Sequence, residues 1–436
     1  MNADAVLSRI KELIRKPRHV LLILMFVTEI TTFLVYNMYH ISFPEINIVE
    51  GVRYYHTAWY NTTPYFLMLV AVQALMLGQF VIMEYRAKIK IKIMSIYVIL
   101  NVQVFLGFLT QSVYGPTVVK KYILVNMVTS VLIIISYEFF RNMKSIHIKF
   151  LEVSAIVLLF VSVVASILNK INGSGSWLYI TDKLALNPQE IIRVVIPTIC
   201  IYLYRNFGEK KRTKHLIFLR IISALSVVAG IFANDFGSTV LTVLIVMISL
   251  WYTDKTSFTL FLITTLIMGM VTLPVLYVTN NKMTIFSRII NTGAELYGTG
   301  QLHESLMSLV YGGVAGLGTR NESILATKIV YSNTDFAFNT LVSVYGIMFA
   351  LISIAPFIIL VLVAMKTNII RKKNSLYMLV ASTILFTQAV VHVLCGLNML
   401  PYTGLCFPFL SQSGSNAVVS YSLFGIYIAG IAPEVT

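Results

Sequence analysis

Apolar stretches about twenty residues long recur from one end of this 436-residue chain to the other, and no other feature limits its folds so sharply. A helix rises about 1.5 Å per residue, so about twenty residues cross the roughly 30 Å hydrocarbon core of a bilayer. Inside that core the backbone must satisfy its own hydrogen bonds, which leaves helices and closed barrels. The stretches here are continuously apolar and do not alternate, which removes the barrel. A set of soluble domains is removed by composition. Charged residues make up 12% and hydrophobic residues 57% of the chain, with a mean hydropathy of +0.81, too little charge to cover a water-facing surface.

The expected architecture is therefore all-α, a polytopic integral membrane protein with about 12 transmembrane helices. They fall at approximately 19–38, 63–83, 93–113, 120–140, 150–168, 188–205, 215–233, 236–252, 257–278, 336–365, 376–395 and 409–430. Segment 1–18 carries Arg9, Lys11, Arg15, Lys16 and Arg18 and precedes an apolar run without a small-residue cleavage site, so it reads as a cytoplasmic cap. With that end inside, Arg86 to Lys92, Arg141 to Lys149, Arg205 to Lys214 and Lys366 to Lys373 also fall inside. About 22 of the 33 basic residues are then cytoplasmic, as the positive-inside rule requires, and the tail 431–436 is cytoplasmic too. The net charge of +15 is explained by these loops, and no nucleic-acid partner is expected. The three cysteines, Cys200, Cys395 and Cys406, have no metal-binding spacing.

Three external loops, 39–62, 169–187 and 279–335, are long enough to carry function, and the last is expected to fold against the bundle. No Walker loop, dinucleotide fingerprint, metal-binding histidine pair or serine elbow is present, which argues against an ATP-driven pump. Ionisable groups near membrane depth remain as candidates, because burying them is expensive. In Asn187–Pro188–Gln189–Glu190–Ile191–Ile192–Arg193, Asn suits an N-cap and Pro the first helical position, while Glu190 and Arg193 share a face. They form a local ion pair or the polar wall of an outward cavity. Asp235, in Asn234–Asp235–Phe236–Gly237–Ser238, reads as the cap of a short external turn. Asp335 starts the long apolar helix after the largest loop, where it is an N-cap, a general base or a ligand of a divalent cation. Spacing does not choose among these. Glu29 lies near the middle of the first span, where a polar group of a neighbouring helix is its expected partner.

Several segments together resemble the SEDS family (shape, elongation, division and sporulation), which includes RodA and FtsW. NGSGSW at 172–177 and NPQEIIR at 187–193 look like the family's NGAxRW and QPSExxK, and NDFGSTVL at 234–241 is similar to QPDLGTAL. Arg288, YGGVAGLG at 311–318 and TDFAF at 334–338 follow the order of Arg, GSGGLFGKG and PExHTDFIF. LPYTGLCFPFLSQSGS at 400–415 matches LPVTGLPLPFISYGGS almost position by position. The similarity covers roughly 150–430. The family usually has ten spans, which puts two additional ones within 19–149. Tyr331, Ser332 and Asn333 stand at the end of the PExH run, Ser343 and Val344 replace a Glu-Glu pair, Leu317 replaces a lysine, and the arginine before Trp177 is absent.

The resemblance implies a peptidoglycan glycosyltransferase that polymerises lipid II on the outer face of the bacterial cytoplasmic membrane. Asp335 matches the residue regarded as catalytic, with Mg²⁺ or Mn²⁺ as its implied cofactor. Glu190, Arg193, Arg288 and Asp235 become the implied substrate-binding residues. Lipid II, membrane lipids and a class B penicillin-binding protein are the implied partners. The departures keep two other readings open: a flippase or transporter of the lipid-linked precursor, and a catalytically weakened scaffold of the cell-wall machinery.

Overall fold

The computed structural model describes residues 17–41, 63–87, 92–142, 145–168, 177–181, 184–206, 209–233, 235–253, 258–263, 266–267, 270, 301–318, 329, 332–370, 375–400 and 404–431. Its helices are α1 (Pro17–Ile41), α2 (Thr63–Ala87), α3 (Lys92–Ser112), α4 (Pro116–Arg141), α5 (Ser145–Leu168), α6 (Pro188–Asn206), α7 (Glu209–Phe232) and α8 (Phe236–Thr253). Then follow α9 (Gln301–Gly312), α10 (Ala337–Tyr345), α11 (Ile347–Leu351), α12 (Ala355–Ile370), α13 (Ser375–Gly396) and α14 (Gly414–Ile431). Ahead of α6, β1 (Leu178–Thr181) and β2 (Leu184–Leu186) form a small antiparallel hairpin.

Ten of the twelve expected spans coincide with one helix each. The span expected at 257–278 is helical over 258–263, 266–267 and 270, and its other residues lie outside the described ones. The one expected at 336–365 is divided into α10, α11 and α12. Among the described residues eight helices are long and apolar enough to cross a membrane, and the chain is a multi-pass membrane protein.

Two apolar clusters hold the bundle. The larger joins α1 to α4 with α10 and α12 to α14, and buries Tyr97, Phe108, Tyr122, Tyr421 and Phe424. The smaller joins α5 to α8 through Ile192, Ile196, Ile199, Leu203 and Leu250. Helix α5 is peripheral: Phe150, Val153, Ile156, Val157, Phe160, Val163 and Ile167 repeat every three or four residues on its outward face, the pattern of a helix facing lipid. Lipid tails are as apolar as these side chains, so association between helices depends on close packing and polar contacts. At the most extensive helix pair, Gly425 brings α14 onto the α4 backbone at Ile133. Tyr122 of α4 donates to the carbonyls of Val104 (3.0 Å) and Phe409 (2.7 Å).

The long external loop contains a helix that a coil reading misses, α9, and it does pack on the bundle. The Asn339 side chain donates to Ser305 Oγ (2.6 Å) and to the Gly396 carbonyl (3.0 Å), joining α9, α10 and α13. Beyond α9 the backbone crosses the α10–α11 break: Leu317 N–H donates to the Ser343 carbonyl and Ile347 N–H to the Gly313 carbonyl, both at 2.9 Å. Gly316 and Gly346 both have positive φ, 81° and 85°, and a Cβ on either would meet the other strand's backbone. Glycine is therefore required on both sides of the crossing.

Candidate active site at the outer end of the bundle

Four segments converge at one end of the bundle: the starts of α6 and α8, the turn 332–336, and the loop 404–413 before α14. Local capping fixes the first two. Asn187 Oδ1 accepts from Gln189 N–H (3.0 Å) with Pro188 at the first helical position, and Asp235 Oδ1 accepts from Ser238 N–H (3.1 Å). The two caps lie side by side, Asn187 Nδ2 being 3.5 Å from Asp235 Oδ2.

One turn into α6, Glu190 and Arg193 are 5% and 2% exposed, so they sit inside the bundle and do not line an open wall. Arg193 donates through Nη2 to Ser238 Oγ of α8. Glu190 is attracted by Arg193 and repelled by Asp235 and Asp335, and it faces Ser415 of α14. Arg193 Nε, Glu190 Oε2 and Ser415 Oγ are buried without a hydrogen-bond partner. Native interiors pair such atoms almost always; ten others occur among the described residues, Gln73 Oε1 and Asn101 Oδ1 included, and what sets these three apart is that they lie together around a charged pair.

Asp335 is half-buried and near enough to Glu190 for the two charges to repel. Phe336, not Asp335, takes the N-cap place of α10, without a side-chain capping bond, and the Phe338 N–H goes to His392 Nε2 (3.4 Å). Facing the carboxylate is Gly404, with φ at +65°, where a Cβ would stand 3.3 Å from Asp335 Oδ2. Cys406, in the same loop, lies among all three charged groups. Burial pushes its thiol up, Glu190 and Asp335 push it further, and Arg193 opposes them.

Polar side chains from apolar helices hold the two loops together. His392 of α13 shares its Nδ1 hydrogen bond with the Leu405 carbonyl at 2.6 Å while Nε2 accepts from Phe338, an arrangement the Nδ1–H tautomer satisfies. Gln388, one turn away, donates to the Cys406 carbonyl (3.0 Å) and to Asn416 Oδ1 (2.6 Å). Gln111 of α3 donates to the carbonyls of Asn333 and Leu410, both at 2.9 Å. Tyr114 bonds Thr340 (2.6 Å), and burial pushes its hydroxyl up to about 12 against the pull of Ser332 and Thr340. None of these stands out in the sequence as an active-site residue. The available signal was spacing: Gln388 and His392 are four apart, on one face of an otherwise apolar helix.

Arg288 lies outside the described residues, as does most of 172–177. Ser343 and Val344 are 0% and 2% exposed beneath the crossing strand, so these two departures from the family pattern are packed positions here. Among the described residues no group of three or more His, Cys, Asp or Glu could hold a metal ion.

A multi-pass helical bundle, with a broken helix and a buried charged pair near a half-buried carboxylate at one end, defines the class. The chain belongs to the FtsW/RodA/SpoVE family, whose model, described as "Cell cycle protein", matches residues 83–434. The match reaches further toward the N-terminus than the motifs did, and α1 and most of α2 precede it. The chain is similar to the probable peptidoglycan glycosyltransferase FtsW of Borreliella burgdorferi, 22% identical over 67% of this chain and 82% of that protein. Its fold is similar to a chain solved in work on the structural coordination of polymerization and crosslinking by a peptidoglycan synthase complex. The TM-score there is 0.55 at 16% identity, over 77% of this chain and 96% of that one. The rod-shape-determining protein RodA of Thermus thermophilus gives a TM-score of 0.53 at 14% identity, over 78% and 97%.

Proposed function

We propose that this protein is a peptidoglycan glycosyltransferase that polymerises lipid II at the outer face of the bacterial cytoplasmic membrane, with both termini in the cytoplasm. The observation that carries the reading is Asp335, a half-buried carboxylate at the family's aspartate position whose charge acts on buried Glu190, the neighbour of Arg193. In the reaction Asp335 takes the proton of the acceptor 4-hydroxyl. The hydroxyl oxygen bonds to the anomeric carbon of the growing strand, and the bond from that carbon to the undecaprenyl pyrophosphate oxygen breaks, its electron pair leaving with the pyrophosphate. Arg193, held on Ser238 within the bundle, adds a positive field from below in a setting of low dielectric. Asp235 is held as the cap of α8, beside the Asn187 cap of α6.

A divalent cation fits this donor set only when shared with substrate. Asp335 would be its described carboxylate ligand, and water and pyrophosphate oxygens would complete the shell, the usual habit of Mg²⁺. Such an ion would neutralise charge on the departing pyrophosphate. A class B penicillin-binding protein is the proposed partner, supported by the fold shared with a chain of a polymerising and crosslinking complex.

Purified protein given fluorescent lipid II, with and without Mg²⁺ or Mn²⁺ and with the class B partner, should form glycan polymer, and Asp335→Asn should not. Folded, partner-bound wild type that makes no polymer would overturn the reading. Translocation of lipid II in liposomes without polymer would assign the precursor-transport role instead.

A further inference from the structure

We propose that Gln412 and Asn333 form a positioning clamp that fixes the Asp335 carboxylate, the two residues acting as one unit. The inference rests on the glycosyltransferase reading for its kinetic consequence and on hydrogen bonds for its existence. Asn333 Nδ2 donates to Gln412 Oε1 (2.8 Å), and Gln412 N–H returns a bond to the Asn333 carbonyl (3.0 Å). The Gln412 side chain also donates to the Val118 carbonyl in the first turn of α4 (3.0 Å), which ties the pair to the bundle. One residue along, Ser411 Oγ donates to the Thr334 carbonyl (2.5 Å) and accepts from Phe407 N–H (2.8 Å). Both residues immediately before Asp335 are therefore held by the loop whose other end, Gly404, faces its carboxylate.

Two departures from the family motifs meet in this contact. Asn333 stands at the place of His in PExHTDFIF and Gln412 at the place of Tyr in LPVTGLPLPFISYGGS. They belong to separate motifs 79 residues apart, yet they share two hydrogen bonds. An amide pair in the place of an imidazole and a phenol keeps a donor and an acceptor on each side in a smaller volume. Changing one member alone leaves the other's amide in a part-buried place without its partner, so the two positions should change together.

The test is a two-position cycle with polymerisation and unfolding read on the same proteins. Asn333→Ala and Gln412→Ala should each lower kcat by about 10–100-fold, the loss that a displacement near 1 Å produces. KM for lipid II should stay within about twofold, because the loss is confined to the transition state. The double alanine variant should be no slower than the worse single one. Asn333→His and Gln412→Tyr should each depress kcat, and the combined pair should recover most of it. Unchanged kcat in Gln412→Ala, additive losses, or a His/Tyr pair no better than its members would overturn the clamp. The unfolding midpoints of the alanine cycle judge the contact without turnover. Should wild type make no polymer, the functional reading fails while non-additive midpoints still support the contact, and additive midpoints overturn it.

Discussion

Two carboxylates, Glu29 and Glu190, are buried among the described residues, and their surroundings differ in the way that separates scaffold from site. Glu29 of α1, 3% exposed, receives the Gln73 amide on both of its oxygens at 3.0 Å. Tyr97 donates to the Gln73 carbonyl at 2.9 Å and Asn101 to the Tyr97 carbonyl at 2.9 Å, so one polar ladder joins α1, α2 and α3. Glu190, 5% exposed, keeps an orphan oxygen beside an arginine that has an orphan nitrogen, within reach of the Asp335 charge. The first arrangement is bonded as far as the carboxylate goes, its orphans being the amide oxygens of Gln73 and Asn101, and it locks helices that mostly precede the family match. The second leaves atoms of the charged groups themselves unbonded, beside the proposed catalytic carboxylate.

The sharpest way to break this contrast is Asp335→Asn. As a general base Asp335 supplies about 10²–10⁴ in rate, so polymer should vanish on a gel. The unfolding midpoint should move little, because Asn keeps the size of the half-buried side chain and one acceptor oxygen. Arg193→Leu comes next. It strands Glu190 as an uncompensated buried charge, and should destabilise the detergent-solubilised protein by about 3–5 kcal/mol in denaturant titration. Removing the inner carboxylate should behave differently: Glu29→Leu leaves the Gln73 amide unbonded at a cost of about 1–3 kcal/mol, while polymer formed per folded molecule stays at the wild-type level. A loss of turnover there that exceeds the loss of folded protein would erase the distinction. Smallest is Gly404→Ala, which places a Cβ at +65° of φ beside Asp335 and should cost about 1–2 kcal/mol. Turnover should fall with it, read as kcat for lipid II.

The bundle could be read from the sequence because each span is a local statement, an apolar run of bilayer length. The same holds for the caps at Asn187 and Asp235, whose bonds reach only two or three residues along the chain. Asp335 showed the limit of local reading. Its candidate roles were indistinguishable until Phe336 was seen in the cap position. The break at Gly346 escaped because one glycine in an apolar run is compatible with a helix, and what stops the helix is a strand arriving from Gly313–Gly318. The residues that organise the site, Gln111, Gln388, His392 and Gln412, reach partners far away in sequence, up to 299 residues for Gln111 and Leu410. A polar side chain in an apolar helix announces that it has a partner and leaves the partner unnamed.

The crossing of Gly316 and Gly346 bears on how this outer segment can change over generations. Its three bonds to the bundle run from backbone to backbone, so they are indifferent to which side chain Leu317 carries. Ser343 and Val344 are buried and held to small or apolar side chains, but Leu317 is at liberty to drift from charged to apolar without unfastening the loop. The two glycines are not, since a single added methyl group on either would force the strands apart. In a saturation library selected for folded protein, tolerance along 311–318 and 343–347 should therefore follow the backbone, with the columns of Gly312, Gly316 and Gly346 closed even to alanine and that of Leu317 open to exchange.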